Sequence, residues 1–150
     1  MAGKYLSVQI HFVWSTAARV PWVSRNWRED MYAYARGVVT PKGGKTLEIG
    51  GTEDHVHACV AVPSTITIAE MINAMKTNSS RWIHEHHINS TGYSWQKGYG
   101  AFSVSKSAEE GVRRYIRQQE EHHKTRSFQE EFLVYLKLHK IDFDLRYLWD

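Results

Sequence analysis

From residue 55 to residue 62 every second side chain is aliphatic: Val56, Ala58, Val60 and Val62 alternate with His55, His57 and Cys59. Successive side chains of a strand point to opposite faces. The segment therefore predicts a strand whose aliphatic face seals a core while two imidazoles and a thiol project from the other. Leu6, Val8, Ile10, Phe12 and Trp14 alternate with Ser7, Gln9 and His11 in the same way and predict a first strand.

Helical spacing takes over between these strands. After a loop at residues 19–24, Trp27, Met31, Tyr34, Ala35 and Val38 predict a helix over about that stretch. Pro41, Gly43 and Gly44 mark a turn, and extended segments at residues 46–49 and 55–62, joined through Gly50 and Gly51, predict a hairpin. Thr67 and Glu70 form a capping box ahead of an amphipathic helix through Ile68, Met71, Ile72, Met75, Ser79, Trp82 and Ile83. The glycine-rich residues 95–100 lead into a short strand at Phe102 and Val104. Two further capping boxes, Ser107 with Glu110 and Ser127 with Glu130, open a helix carrying Tyr115 and a final helix through Phe132 and Leu136 toward His139.

The order βαββαβ followed by two helices is an α+β, ferredoxin-like arrangement: an antiparallel sheet with additional C-terminal helices. Two helices are expected on one face, leaving the face of His55 and His57 free for a site. The first strand lies beside the third in this topology, which makes Gln9 and His11 expected neighbours of the histidine pair.

At 150 residues, 42% hydrophobic and 13% aromatic, the chain reads as one globular domain over residues 1–150. Lys and Arg number 19 against 16 Asp and Glu, with a pI near 9.0, which permits a polyanionic partner without requiring one. The single Cys59 cannot form an internal disulfide, and no apolar run reaches membrane length or precedes a cleavage site. Cytoplasmic location with no membrane partner is the expectation.

His55 and His57, two residues apart on a strand, can present two imidazoles to one divalent ion, although such spacing also arises by chance. Tyr115 and Gln119, four apart on a helix, share one face with Val112 and Ile116. A core tyrosine with a satisfied hydroxyl is the alternative for Tyr115. Gln119 argues against a plain core stripe, because an unpaired amide in a dry interior costs roughly 1–3 kcal/mol. A metal or a phosphate would supply its partner. Residues 43–46 end like a phosphate-binding loop, but Val39 stands where that motif needs glycine, and the segment reads as a turn. His84, His86, His87, His122 and His123 lie near predicted helix C-termini, where capping is the expected role.

Asp54, His55 and His57 in a strand, Lys76 to Arg81 on the next helix, the glycine-rich residues 95–100 and the pair Tyr115 and Gln119 resemble, in order and spacing, the single-tyrosine HUH transposases of bacterial insertion sequences. The likeness runs from about Tyr5 to the closing residues 146–150 and extends to the repeat-associated tyrosine transposases. It implies that His55, His57 and Gln119 hold Mg²⁺ or Mn²⁺ against the scissile phosphate, while Tyr115 attacks phosphorus and forms a 5′-phosphotyrosine. It further implies a substrate of single-stranded DNA with hairpin ends, and a homodimer. Arg19, Lys76, Arg81, Arg113, Arg114 and Arg117 are candidate DNA-backbone contacts. Two other readings use the same residues: a non-catalytic single-stranded nucleic-acid-binding module, and a metal-dependent phosphoesterase for which Tyr115 is dispensable.

Overall fold

The computed structural model describes residues 3–88 and 92–149. Strands β1 (Gln9–Ser15), β2 (Lys45–Gly51), β3 (His55–Ala61) and β4 (Gly100–Val104) form one antiparallel sheet in the order β2-β3-β1-β4. Helices α1 (Arg28–Val39) and α2 (Ile68–His86) separate the strands as the periodicity predicts, completing βαββαβ. Register puts His57 between Val13 of β1 and Gly50 of β2, and Ser15 opposite His55.

One face of the sheet meets α1 and α2. Ile10, Phe12 and Trp14 from β1 and Val56, Ala58 and Val60 from β3 pack there with Met31, Ala35, Met71, Ile72, Met75 and Ile83. Thr67 starts α2 by accepting the Glu70 backbone N–H at 3.1 Å. The buried stripe of α1 is Arg28, Met31, Tyr32, Ala35 and Val39; of the positions expected from sequence, Tyr34 is exposed and Val38 half-buried. Leu6 and Val8 precede β1 and are exposed. Lys76 is buried on α2 and donates to the carbonyls of Gln96, Lys97 and Gly98 at 2.7, 3.3 and 2.9 Å. It thereby pins the glycine-rich loop before β4.

The opposite face is not free. All seven residues of β1 are buried, because α3 (Glu109–Arg117), α4 (Gln119–His122) and α5 (Phe128–Leu138) fold back over the second side. The sheet is thus the middle of three layers. Ile116 of α3 packs on Cys59 and Val104, while Phe128, Phe132 and Leu136 of α5 pack on Val13 and Phe102. Each of these large side chains contributes roughly 1.5–3 kcal/mol by burial, so α5 is a packed element. The close approach of α3 requires Gly50: a Cβ there would lie 2.7 Å from the Ile116 carbonyl oxygen.

The two expected capping boxes of this half differ. Ser127 and Glu130 form theirs reciprocally, with Glu130 N to Ser127 Oγ at 3.2 Å and Ser127 N to Glu130 Oε1 at 3.3 Å. Ser107 caps nothing, because the chain enters α3 through a 3₁₀ turn at Lys106–Ala108 and the Ser107 hydroxyl meets that of Ser105. The helix of Tyr115 ends at Arg117, and Gln118 (φ −102°, ψ 25°) breaks it before Gln119 begins α4.

A candidate metal and nucleophile centre

His55 and His57 project from β3 beneath α3–α5, and both are fully buried. The Nδ1 atom of His55 lies 2.7 Å from Asp54 Oδ1 and 3.0 Å from Thr52 Oγ1. A carboxylate only accepts, so Nδ1 carries the proton and Nε2 turns its lone pair inward, the arrangement of a histidine held ready for a metal. That Nε2 is 2.9 Å from Gln119 Oε1, an acceptor facing an acceptor. A cation between them resolves the contact.

His57 is placed similarly. Its Nδ1 is 2.7 Å from His11 Nε2, and its Nε2 is 2.8 Å from Glu131 Oε1. By the rule applied to His55, His57 Nε2 donates to the Glu131 carboxylate; His11 can donate or accept at its nitrogen, so it also permits the tautomer in which Nδ1 carries the proton and Nε2 ligates an ion. Of the two β1 neighbours expected from sequence, His11 touches the pair; Gln9 sits at the other end of the strand and bonds Ser7.

The remaining groups come from residues whose role the sequence concealed. His123 Nε2 lies 3.1 Å from both Gln119 Oε1 and Glu131 Oε2. His123 is therefore part of the centre through its side chain while its backbone N–H closes the C-terminus of α4, and His122 stacks on the Tyr115 ring. Glu131, on α5, meets His57, His123 and the Tyr115 hydroxyl, which donates to its Oε2. Inward-facing atoms of His55, His57, His123 and Glu131 all lie within 4.8 Å of one another. Atoms sharing one ion with bonds of about 2.0–2.2 Å stand about 3–4.4 Å apart, so the donor set suits a divalent cation and its widest separations would close by a few tenths of an ångström around one. Gln119, buried at 1% exposure, joins the set through its oxygen even though it begins a new helix.

Electrostatics follow from this packing. Burial would raise the Glu131 carboxyl, but His57, His123 and His55 around it hold it well below the ordinary carboxylate range. Burial pulls His57 and His11 down and keeps them neutral. Burial also opposes protonation of His123, yet its bond to Glu131 raises it overall. Tyr115 is pushed up, first by burial and then by the carboxylate facing its hydroxyl. A cavity of about 170 Å³ opens on Tyr115 and Glu131, lined also by Arg126, Val134 and Tyr135. A larger cleft of about 510 Å³ beside β2 holds neither Tyr115 nor the histidines.

The candidate DNA contacts scatter. Arg113 and Arg117 pair with Glu48 of β2, at 3.5 and 3.0 Å. Arg19 stands over the Trp149 ring, and Arg81 is exposed and bonded to Asn78. Arg114 is exposed. Lys76 is spent on three carbonyls in a buried setting and does not face solvent as a backbone contact would. Arg126, which the sequence gave no reason to choose, is the cation lining the cavity at Tyr115.

The fold recurs in solved structures. A protein of Deinococcus radiodurans assigned as a transposase is 21% identical with a TM-score of 0.63, over 79% of this chain and 97% of that one. A REP-associated tyrosine transposase bound to a REP hairpin is 10% identical with a TM-score of 0.61, over 82% of this chain and 74% of that one. No protein of curated function matches the chain. Residues 4–119 match the family described as IS200-like transposases, a span that takes in β1 to β4, His55, His57, Tyr115 and Gln119, and the chain belongs to that family.

Proposed function

We propose that the protein cleaves and rejoins single-stranded DNA with Tyr115 as nucleophile, in a centre where His55, His57 and Gln119 hold Mg²⁺ or Mn²⁺. The observation that carries this reading is the convergence of the Tyr115 hydroxyl and the two β3 imidazoles on one buried cluster. A divalent ion bound there supplies Lewis-acid activation of the scissile phosphate and neutralises its charge. Asp54, Thr52 and His11 fix the imidazoles from behind. The Tyr115 oxygen forms a bond to phosphorus as the bond to the 3′-oxygen breaks. The phenol loses its proton and the departing 3′-hydroxyl gains one, leaving a 5′-phosphotyrosine that a second 3′-hydroxyl can resolve.

Hairpin-bearing single strands are the proposed substrate, consistent with the REP hairpin bound by the similar REP-associated transposase. The cavity at Tyr115 and Arg126 is the route for the phosphodiester. A homodimer belongs to the same reading, since two DNA ends need two nucleophiles and the sheet has open edges at β2 and β4. Sedimentation at micromolar concentration tests it, and a monomer rejects it.

The deciding experiment incubates the protein with a hairpin-ended single strand and Mn²⁺ and maps a covalent adduct to Tyr115. Binding with no adduct identifies a nucleic-acid-binding module. Cleavage that survives Tyr115→Phe identifies a hydrolase.

A further inference from the structure

The region matched to the family ends at Gln119, yet the centre does not. Glu131 lies beyond that boundary on α5, is 1% exposed, and touches more of the centre than any other side chain. Its two oxygens face different partners. Oε1 is 2.8 Å from His57 Nε2, which donates to it, and 3.6 Å from His55 Nε2, on the side where the two imidazole Nε2 atoms converge. Oε2 accepts from the Tyr115 hydroxyl and stands 3.1 Å from His123 Nε2.

We propose that Glu131 is an anionic ligand of the metal through Oε1 and holds the Tyr115 hydroxyl on Oε2, so that one carboxylate ties the nucleophile to the ion. This rests on the proposed function only for the role of Tyr115; the ligand assignment stands on the geometry of the cluster. A lone buried carboxylate among apolar helices would be costly. Three imidazoles and a divalent ion give it reason to be there. The placement does not come from a surface acid that happens to fold inward, because Phe128 and Phe132 on the same helix lock α5 against β1 and β4.

The ligand set carries a selectivity. Imidazole nitrogens suit first-row transition ions, whereas Mg²⁺ prefers oxygen and retains its water. With His55, His57 and a carboxylate, and with His123 in the same cluster, the centre favours Mn²⁺ over Mg²⁺. Glu131 supplies the negative charge that a set of neutral imidazoles and the Gln119 amide lacks.

The test measures Mn²⁺ binding to the full chain without DNA, by the electron paramagnetic resonance signal of free Mn²⁺, with Mg²⁺ as competitor. The wild type is expected to bind Mn²⁺ at least tenfold more tightly than Mg²⁺, and Glu131→Gln to lose at least tenfold in Mn²⁺ affinity at an unchanged far-UV spectrum. A folded Glu131→Gln protein that binds Mn²⁺ like the wild type overturns the assignment. Should that variant not fold, wild-type protein carrying ¹³C-carboxyl glutamate decides the matter. A strong ¹³C hyperfine coupling to bound Mn²⁺ supports direct ligation, and its absence overturns it. Loss of Mn²⁺ affinity in Glu131→Gln together with no Tyr115 adduct in the wild type keeps the ligand and overturns the link to the nucleophile.

Discussion

Tyr115 and His57 meet on a single carboxylate: the tyrosine hydroxyl donates to one oxygen of Glu131 while the imidazole Nε2 stands 2.8 Å from the other. Any change at one of the three residues is therefore felt by the other two. Tyr115→Phe removes the proposed nucleophile and one donor to Glu131 without opening the cluster. Adduct formation should vanish while Mn²⁺ affinity stays within about threefold of the wild type, since the ligands remain. Parallel adduct gels and Mn²⁺ titrations check this, and a large loss of metal affinity would count against it.

His57→Ala should cost both metal and fold. From sequence the histidine face looks expendable to stability, but His57 is fully buried and bonded at both nitrogens. Removing it strands His11 and Glu131, at about 1–3 kcal/mol. Urea unfolding should show that loss, alongside abolished Mn²⁺ binding.

Gly50→Ala tests how closely α3 must approach. The added methyl would lie 2.7 Å from the backbone oxygen of Ile116, one residue from Tyr115, and backbone cannot swing aside as a side chain does. The helix is expected to lift from β2, lowering the thermal midpoint and slowing adduct formation at least tenfold at saturating Mn²⁺. An unperturbed rate would show that Tyr115 does not depend on this contact.

Two basic residues should separate cleanly. Arg126→Ala removes the cation at the cavity beside Tyr115 and should weaken single-strand binding about three- to tenfold, with the salt slope reduced by about 0.7. Lys76→Met should leave that slope unchanged and instead cost about 1–3 kcal/mol of stability, because three carbonyls of the loop lose their donor.

Alkaline stability should report on Cys59. Burial pushes its thiol up to about 11, while an unfolded thiol ionises near about 8.5. The folded state then holds the proton longer, so this group's contribution is constant below about pH 8.5, falls as pH rises toward about 11, and levels beyond. The decline should be smaller in Cys59→Ala than in the wild type, as measured by urea midpoints across that range.

Alternation at residues 55–62 was sufficient to orient β3, since valines and histidines there differ too much in polarity to exchange faces. The path of α3–α5 was not legible. Strand β1 reads as half-buried because Gln9, His11 and Ser15 are polar, yet all three are buried, His11 against Tyr135 of α5 and Ser15 against Gln96, each more than eighty residues later in the chain. Glu131 follows a capping box and looks like any first-turn acid placed to favour a helix dipole. His123 looks like a cap for the same local reason. Only long-range packing separates these readings, and neither residue type nor spacing encodes it.

The centre joins residues 74 positions apart, His57 on the hairpin and Glu131 on the last helix. All four strands are complete by Val104, and the imidazoles are in place long before the carboxylate is made. A chain emerging N-terminus first can thus lay down its sheet while its chemistry is still disassembled. On the proposed function, a polypeptide that has not yet made its final helix carries the sheet and both imidazoles without the carboxylate that completes the centre.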